Sequence, residues 1–270
     1  MKNLRGEVAL VTGAGSGIGR ATALALGQEG CRVAVTDIDS AAATVTVEQI
    51  VNGGGTAASW AYDVTDPDRG AALAEEVGRE LGTFSILVNN AGIAVGGFFL
   101  DSIRDSFDRV VAINLMGVVH GCRAFLPAMV ESGRAGHVVN IASVLGQIGM
   151  RGVSAYCMTK FGVVGFSESL RAEMWSHGIG VSTICPGMIR TSIVDNGMLE
   201  SSDADIEKKR AKIEALYQKR NFPPEKVARA VVSAIRRNKG VVPVASEAWF
   251  GYYLKRWTPW LSYRVLRRIG

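Results

Sequence analysis

The chain has 270 residues, 48% of them hydrophobic and 20% charged, an ordinary globular mix with length enough for one sizeable α/β core. The formal net charge is +5, but residues 247–270 hold five basic side chains and one acid, so the rest of the chain carries only +1. A basic tail on a nearly neutral body argues against nucleic acid as a partner.

Short β-rich runs alternate with helical patterns along the chain. Glu7–Thr12 is an apolar run ending at glycines, and Ile18–Gly30 has a helical pattern with Gly30 as its stop. Arg32–Thr36 is the next β-branched run, closed by Asp37. Ser40 is placed to cap a helix reaching Asn52, which Gly53–Gly55 ends. Ala57–Tyr62 predicts a strand, and Asp66-Pro67 starts a helix running to Leu81. Ser85–Asn89 predicts a strand, followed by helices over Asp101–Ile113 and Leu115–Ser132. Gly136–Ile141 and Gly180–Ile184 predict strands on either side of a helix over Ser154–His177. A helix from Pro224 to Asn238 leads to a last short strand, Val241–Val244. The seven strand candidates are near-continuous apolar runs, the pattern of strands covered on both faces. A single-domain, Rossmann-like, doubly wound α/β fold is therefore expected over residues 1–270, with a parallel sheet and helices above and below.

The N-terminal stretch MKNLRGEVALVTG is charged and lacks the apolar core of a secretory signal. No run of 18 uncharged apolar residues predicts a membrane span. Cys31, Cys122, Cys157 and Cys185 are scattered without a C-x-x-C pair, which reads as reduced thiols in a cytoplasmic protein. No metal site is read from the sequence.

The first strand runs into Thr12-Gly13-Ala14-Gly15-Ser16-Gly17-Ile18-Gly19. A glycine-rich turn between strand and helix lets the backbone approach a pyrophosphate, with helix-start N–H groups facing it. Asp37 ends the second strand, 18 residues after Gly19. A carboxylate there suits ribose hydroxyls and repels a 2′-phosphate, so NAD is expected over NADP. Farther on, Tyr156 follows Ser143 by thirteen residues, and Lys160 lies four beyond it on a predicted helix. One helix face then carries a phenol and an ammonium. The ammonium is expected to lower the phenol's pKa, making it a general base or acid, while Ser143 holds the substrate oxygen.

Together these residues resemble the short-chain dehydrogenase/reductase family over almost the whole chain. The resemblance rests on TGAGSGIG at Thr12–Gly19, Asp63-Val64, NNAG at Asn89–Gly92, INLMG at Ile113–Gly117, Ser143, YCMTK at Tyr156–Lys160 and PGMIRT at Pro186–Thr191. It implies a catalytic set of Asn114, Ser143, Tyr156 and Lys160, with Asn114 holding a water that links Lys160 to solvent. It implies that Gly13, Ser16, Gly17, Ile18, Gly19 and Asp37 bind the cofactor. Asp63 and Val64 would line the adenine, and Asn90, Ala91 and Gly92 the wall beside the ribose. Lys160 would bond the nicotinamide ribose beside Tyr156, and Pro186, Gly187, Ile189 and Thr191 would hold the carboxamide. The resemblance also implies a homotetramer built on the helices around Leu115–Ser132 and Ser154–His177.

The expected reaction is hydride transfer between NAD and an alcohol/carbonyl pair. Residues 191–222 depart from the regular pattern and are expected to cover the substrate. Ile93, Val95, Leu145, Met150, Met188, Ile193, Val194 and Met198 are candidate pocket walls, which points to an apolar substrate. Seven of the chain's 20 aromatic residues lie between Trp249 and Tyr263, interleaved with basic ones. That pattern suits a peripheral membrane contact, a subunit interface, or packing on the domain itself. The rival reading is a catalytically silent NAD-binding or membrane-surface interaction protein on the same fold.

Overall fold

The computed structural model describes residues 1–191, 198–200, 211, 215, 217 and 219–266. Its centre is a sheet of seven parallel strands: β1 (Val8–Thr12), β2 (Arg32–Asp37), β3 (Thr56–Ala61), β4 (Phe84–Asn89), β6 (Gly136–Ile141), β7 (Ile179–Pro186) and β9 (Val241–Val244). Their spatial order is β3-β2-β1-β4-β6-β7-β9. The order reverses between β1 and β4, so a crevice opens there at the carboxyl ends of the strands.

Alternation along β1 explains why its sequence has no polar face. Ala9 and Val11 join one core with Leu26, Val231 and Ile235, while Val8 and Leu10 join another with Leu73, Phe125 and Leu170. Helices α1 (Gly17–Gln28), α2 (Ser40–Asn52) and α7 (Pro224–Arg237) supply the first layer; α3 (Pro67–Glu80), α5 (Gly117–Glu131) and α6 (Ser154–Glu173) supply the second. In the second core Phe84 and Phe125 meet edge to face, 5.3 Å between centroids.

The structure differs from the sequence expectations at several points. Asp39, not Ser40, caps α2: its carboxylate accepts from the Ala42 N–H at 3.1 Å. Asp66 caps α3 in the same way, accepting from the Arg69 N–H at 2.9 Å. The two helices expected on either side of Asn114 are α4 (Arg104–Val111) and α5, joined by a π-helical turn over Ala112–Met116. This joined run, Arg104–Glu131, is long and apolar enough to cross a membrane by length and composition. Here Val118, Cys122, Phe125 and Met129 are buried within the fold. Two three-residue strands, β5 (Val95–Gly97) and β8 (Met198–Glu200), form a second small parallel sheet. Their pairing ties the 191–222 insertion to the segment after β4. Most of that insertion, including Ile193 and Val194, lies outside the described residues.

Helix α8 (Ser246–Trp257) packs on its own domain. A Cβ on Gly251 would stand 3.2 Å from Ile148 and 3.3 Å from Val144, and Lys255 Nζ lies 4.2 Å from the centre of the Phe161 ring. Its other side leaves Trp249, Phe250, Tyr253 and Trp257 exposed. Helix α9 (Pro259–Leu266) starts anew at Pro259, whose ring and missing N–H do not suit a helix interior.

At the sheet's flank, the Gly240 and Val244 carbonyls accept from the Thr183 and Gly187 N–H groups of the β7 segment. Residues 241 and 243 therefore turn their main-chain groups outward, and 243 is a proline.

Candidate active site

The glycine turn is held from the neighbouring strand. Asn90 Nδ2 donates to the Thr12 and Gly13 carbonyls at 2.9 and 3.0 Å, and Thr12 Oγ1 accepts from the Asn90 and Ala91 N–H groups at 3.0 and 3.1 Å. The approach leaves no room for side chains. A Cβ on Gly13 would lie 2.8 Å from Ala91 Cα; one on Gly19 would strike the Gly13 carbonyl and lie 2.5 Å from Asn90 Nδ2. Gly17 has φ +52° and faces Thr191, whose Cβ would be 3.2 Å from a Cβ there.

Ser16 precedes α1, whose first turn carries no acid to offset the helix dipole. Asp37 braces the turn: Oδ2 accepts from the Gly15 N–H at 2.8 Å and Oδ1 from the Asp39 N–H at 3.0 Å. Arg20 completes the brace by donating to Thr46 Oγ1 at 3.1 Å and to the Gly15 carbonyl. A bare backbone cradle at a helix start, with a carboxylate beside it, fits a dinucleotide.

Asp63 is exposed after β3 and accepts from the Thr65 N–H and hydroxyl at 2.9 and 2.8 Å. Val64 is buried and packs on Gly117. Pro186 ends β7, and Gly187 donates its N–H to the Val244 carbonyl at 2.9 Å. The Ile189 side chain belongs to the first core, so only its main chain is left to face a ligand.

On the catalytic side, Tyr156 and Lys160 are one turn apart on α6, beside the end of β6. Ser143 leaves β6 in an extended conformation; its Oγ accepts from the Leu145 N–H at 3.1 Å, and it hydrogen-bonds the Tyr156 hydroxyl. Lys160 is buried, donates to the Ile141 carbonyl at 3.1 Å and sits 5.6 Å from the Tyr156 ring centre. Asn114 is fully buried in the π turn. Its Oδ1 accepts from the Ile93 N–H at 2.8 Å and its Nδ2 donates to the Ile93 carbonyl at 2.9 Å. A Cβ on Gly92 would be 3.1 Å from Asn114 Oδ1 and 3.6 Å from Lys160 Nζ, so a side chain there would crowd both.

The electrostatics correct one expectation. Lys160 is close, yet it does not lower the Tyr156 pKa: burial pushes the phenol above its ordinary value, with the Ser143 hydrogen bond pulling the other way. Burial also brings Lys160 down to about 8. Desolvation penalises the charged form of each and is the largest influence on both.

Of the apolar candidates, Ile93 and Val95 form a small cluster with Phe107, Val110, Ala155 and the Tyr156 ring. Sequence reasoning missed four residues. Gln147 is buried, with both amide atoms unpartnered. Tyr217 is close enough to push the Tyr156 pKa up. Glu247 accepts from the Met188 N–H at 2.9 Å, and Arg220 pairs with it, also at 2.9 Å. A glutamine four residues after Ser143 was the one available signal; the others approach from far along the chain.

Comparison with known proteins agrees with this geometry. The short chain dehydrogenase family matches residues 7–202. A probable oxidoreductase, EphD of Mycobacterium tuberculosis, is 45% identical over 252 residues, which cover 92% of this chain and 43% of that protein. The chain thus spans less than half of that relative's length. A short-chain dehydrogenase/reductase from Burkholderia phymatum, solved with NAD, superposes with a TM-score of 0.89 at 28% identity, over 97% of this chain and 96% of that one. A metagenomic short-chain oxidoreductase, solved with NADP, has a TM-score of 0.71 at 31% identity, over 89% and 96%. The chain belongs to the short-chain dehydrogenase/reductase family of oxidoreductases.

Proposed function

We propose that the chain transfers a hydride between NAD and an alcohol/carbonyl pair of apolar character. The observation that carries this reading is the meeting of Ser143, Tyr156 and Lys160 at one end of the crevice whose other end is the glycine cradle. NAD supplies the hydride acceptor. Ser143 holds the substrate oxygen; in oxidation Tyr156 takes the substrate's hydroxyl proton as it passes its own to the Lys160 amine, and reduction runs the same relay backwards. Lys160 holds the nicotinamide ribose and, as the amine, receives the phenol's proton. Asn114, its amide engaged by Ile93, serves a water through the main chain of the π turn, where i→i+4 pairing is interrupted. Asp37 receives the ribose hydroxyls and disfavours NADP; a preference for NADP by about tenfold or more would overturn that choice. Gly13, Ser16, Gly17, Ile18 and Gly19 face the pyrophosphate, Asp63 and Val64 the adenine, Asn90, Ala91 and Gly92 the ribose. Pro186, Gly187, Ile189 and Thr191 meet the carboxamide.

The test is a panel of secondary alcohols, sterols and lipid-like alcohols read by NADH absorbance. Members with and without a second hydrogen-bonding group probe Gln147, whose buried amide offers both a donor and an acceptor. No turnover with any member, together with intact NAD binding, would favour the silent-binder reading.

The pH dependence has a definite sign. Lys160 sheds its proton near pH 8, and the Tyr156–Lys160 pair then holds one proton fewer. Oxidation requires the pair to take up the substrate's proton, so kcat/KM should rise with pH to about 8 and level above it. Reduction needs the proton in place and should fall over the same range. A flat profile for both directions would reject the pair as the proton carrier.

The substrate-covering role of residues 191–222, tetramer assembly through α5 and α6, and a cytoplasmic site for the four buried thiols belong to the same proposal. So does membrane contact through α8, which is favoured by its exposed run of rings: Trp249 stacks on Tyr253 at 5.6 Å, and Tyr253 meets Trp257 at 5.0 Å. Flotation with anionic vesicles should weaken on Trp257→Ser with Trp260→Ser. Unchanged flotation in that variant, or none in the parent, would exclude the contact.

A further inference from the structure

The Glu247 carboxylate sits where three separate parts of the chain meet. It comes from the first turn of α8. Oε1 accepts from the Met188 N–H at 2.9 Å, within the stretch that follows β7. Oε2 accepts from Arg220 at 2.9 Å and from Ser246 Oγ at 3.2 Å. The carboxylate lies so close over Gly187 that a Cβ there would strike it, standing 2.7 Å from its Cδ. Arg220 is three residues beyond Tyr217, and the Asn221 N–H next to it donates to the Tyr217 carbonyl at 2.9 Å. Tyr217 in turn feels both Glu247 and Tyr156: the carboxylate adds to the burial that pushes the Tyr217 pKa up, and Tyr217 raises that of Tyr156. One side chain therefore touches the proposed carboxamide loop, the substrate-covering insertion and the C-terminal helix.

We propose that Glu247 is a positioning residue that couples two sites: it fixes the Gly187–Met188 main chain for the nicotinamide amide and, through Arg220, anchors the end of the substrate-covering insertion beside the catalytic residues. The inference rests on the proposed NAD-dependent function for its kinetic consequences, but not for the link itself. Its two arms use different chemistry. The Met188 N–H needs only an oxygen acceptor. The Arg220 arm needs a negative charge, because a charge-assisted pair is about twice as strong as a neutral one. The two arms should therefore separate on substitution.

Glu247→Gln keeps an acceptor for Met188 and loses the charge. It should leave NAD affinity, read by quenching of protein fluorescence, within about twofold, and raise KM for the alcohol about tenfold. Arg220→Met should do the same. Glu247→Ala loses both arms and should weaken NAD about tenfold as well as raising KM, with kcat changed far less than either. Hydrogen exchange at the Met188 amide gives a readout independent of turnover: it should speed up in Glu247→Ala and stay slow in Glu247→Gln and Arg220→Met. A merely structural role would lower thermal stability and speed exchange across the whole domain in all three variants, and that result would overturn the proposal. So would unchanged NAD affinity and unchanged Met188 exchange in Glu247→Ala. If Glu247→Ala does not fold, the Gln and Met variants still decide: equal loss of NAD and substrate affinity in both would refute the separation of arms. A parent chain that binds no NAD and oxidises no alcohol would instead count against the function, with the exchange pattern still reporting on the link.

Discussion

Replacing Tyr156 with phenylalanine is expected to lower turnover about 10³-fold, the scale of a lost general acid–base group, while NAD binds within about twofold of the parent. The reasoning is geometric. The substitution deletes one oxygen and keeps the ring that packs with Ile93 and Val95. Ser143 keeps a second partner in the Leu145 N–H, so the loop after β6 has no reason to move. Lys160 keeps its bond to the Ile141 carbonyl. What disappears is the hydroxyl proposed to carry a proton to and from the substrate oxygen. Steady-state rates and NAD titration on the same preparation separate the two effects. Turnover within tenfold of the parent would remove Tyr156 from the chemistry.

Gly19→Ala is expected to destabilise the fold by about 3 kcal/mol, at the upper end of overpacking costs, and to abolish NAD binding. The added methyl would be driven into the Gly13 carbonyl and against Asn90 Nδ2. Relief demands that α1 retreat from the turn or that Asn90 release the Thr12 and Gly13 carbonyls. Either movement opens the cradle and breaks the contact between β1 and the end of β4. Gly78→Ala is the control, because nothing lies within 4 Å of a Cβ there. Its position inside α3 favours alanine by roughly 0.5–1 kcal/mol. Denaturant midpoints of the two variants should therefore move in opposite directions. A Gly19→Ala chain as stable as the parent would show that the turn is looser than its geometry.

Most of the main strands were legible because they are buried along their length and so read as near-continuous apolar runs; β3, TAASWA, is only half-buried at the sheet's edge. Strands β5 and β8 were not legible: three residues such as Val95-Gly96-Gly97 carry no period. The π turn at Asn114 was equally invisible, since INLMG suits an ordinary helix as well. At the site, the spacing of Tyr156 and Lys160 and the order of the glycines placed the residues that come together. The direction of their titration did not follow from spacing, because burial is a property of the whole packed interior and is here the largest influence on both groups. Glu247 and Tyr217 could not be read for a related reason. Each reaches the site from more than sixty residues beyond Ser143, and no local pattern marks where such a side chain will land. Asp39 took the capping position expected of Ser40 because the helix begins one residue earlier than the sequence marks, and adjacent aspartate and serine are equally good caps.

The proline on β9 has a consequence outside the chemistry. A parallel sheet that ends in a bare strand presents a row of donors and acceptors on which another extended chain can crystallise. Residue 243 is one of the outward-turned positions, and as proline it contributes no hydrogen there. Pro243 is buried, so the flank is already covered, and a chain that reached it would find no donor at this position, which denies crowded chains a ready template for stacking edge to edge.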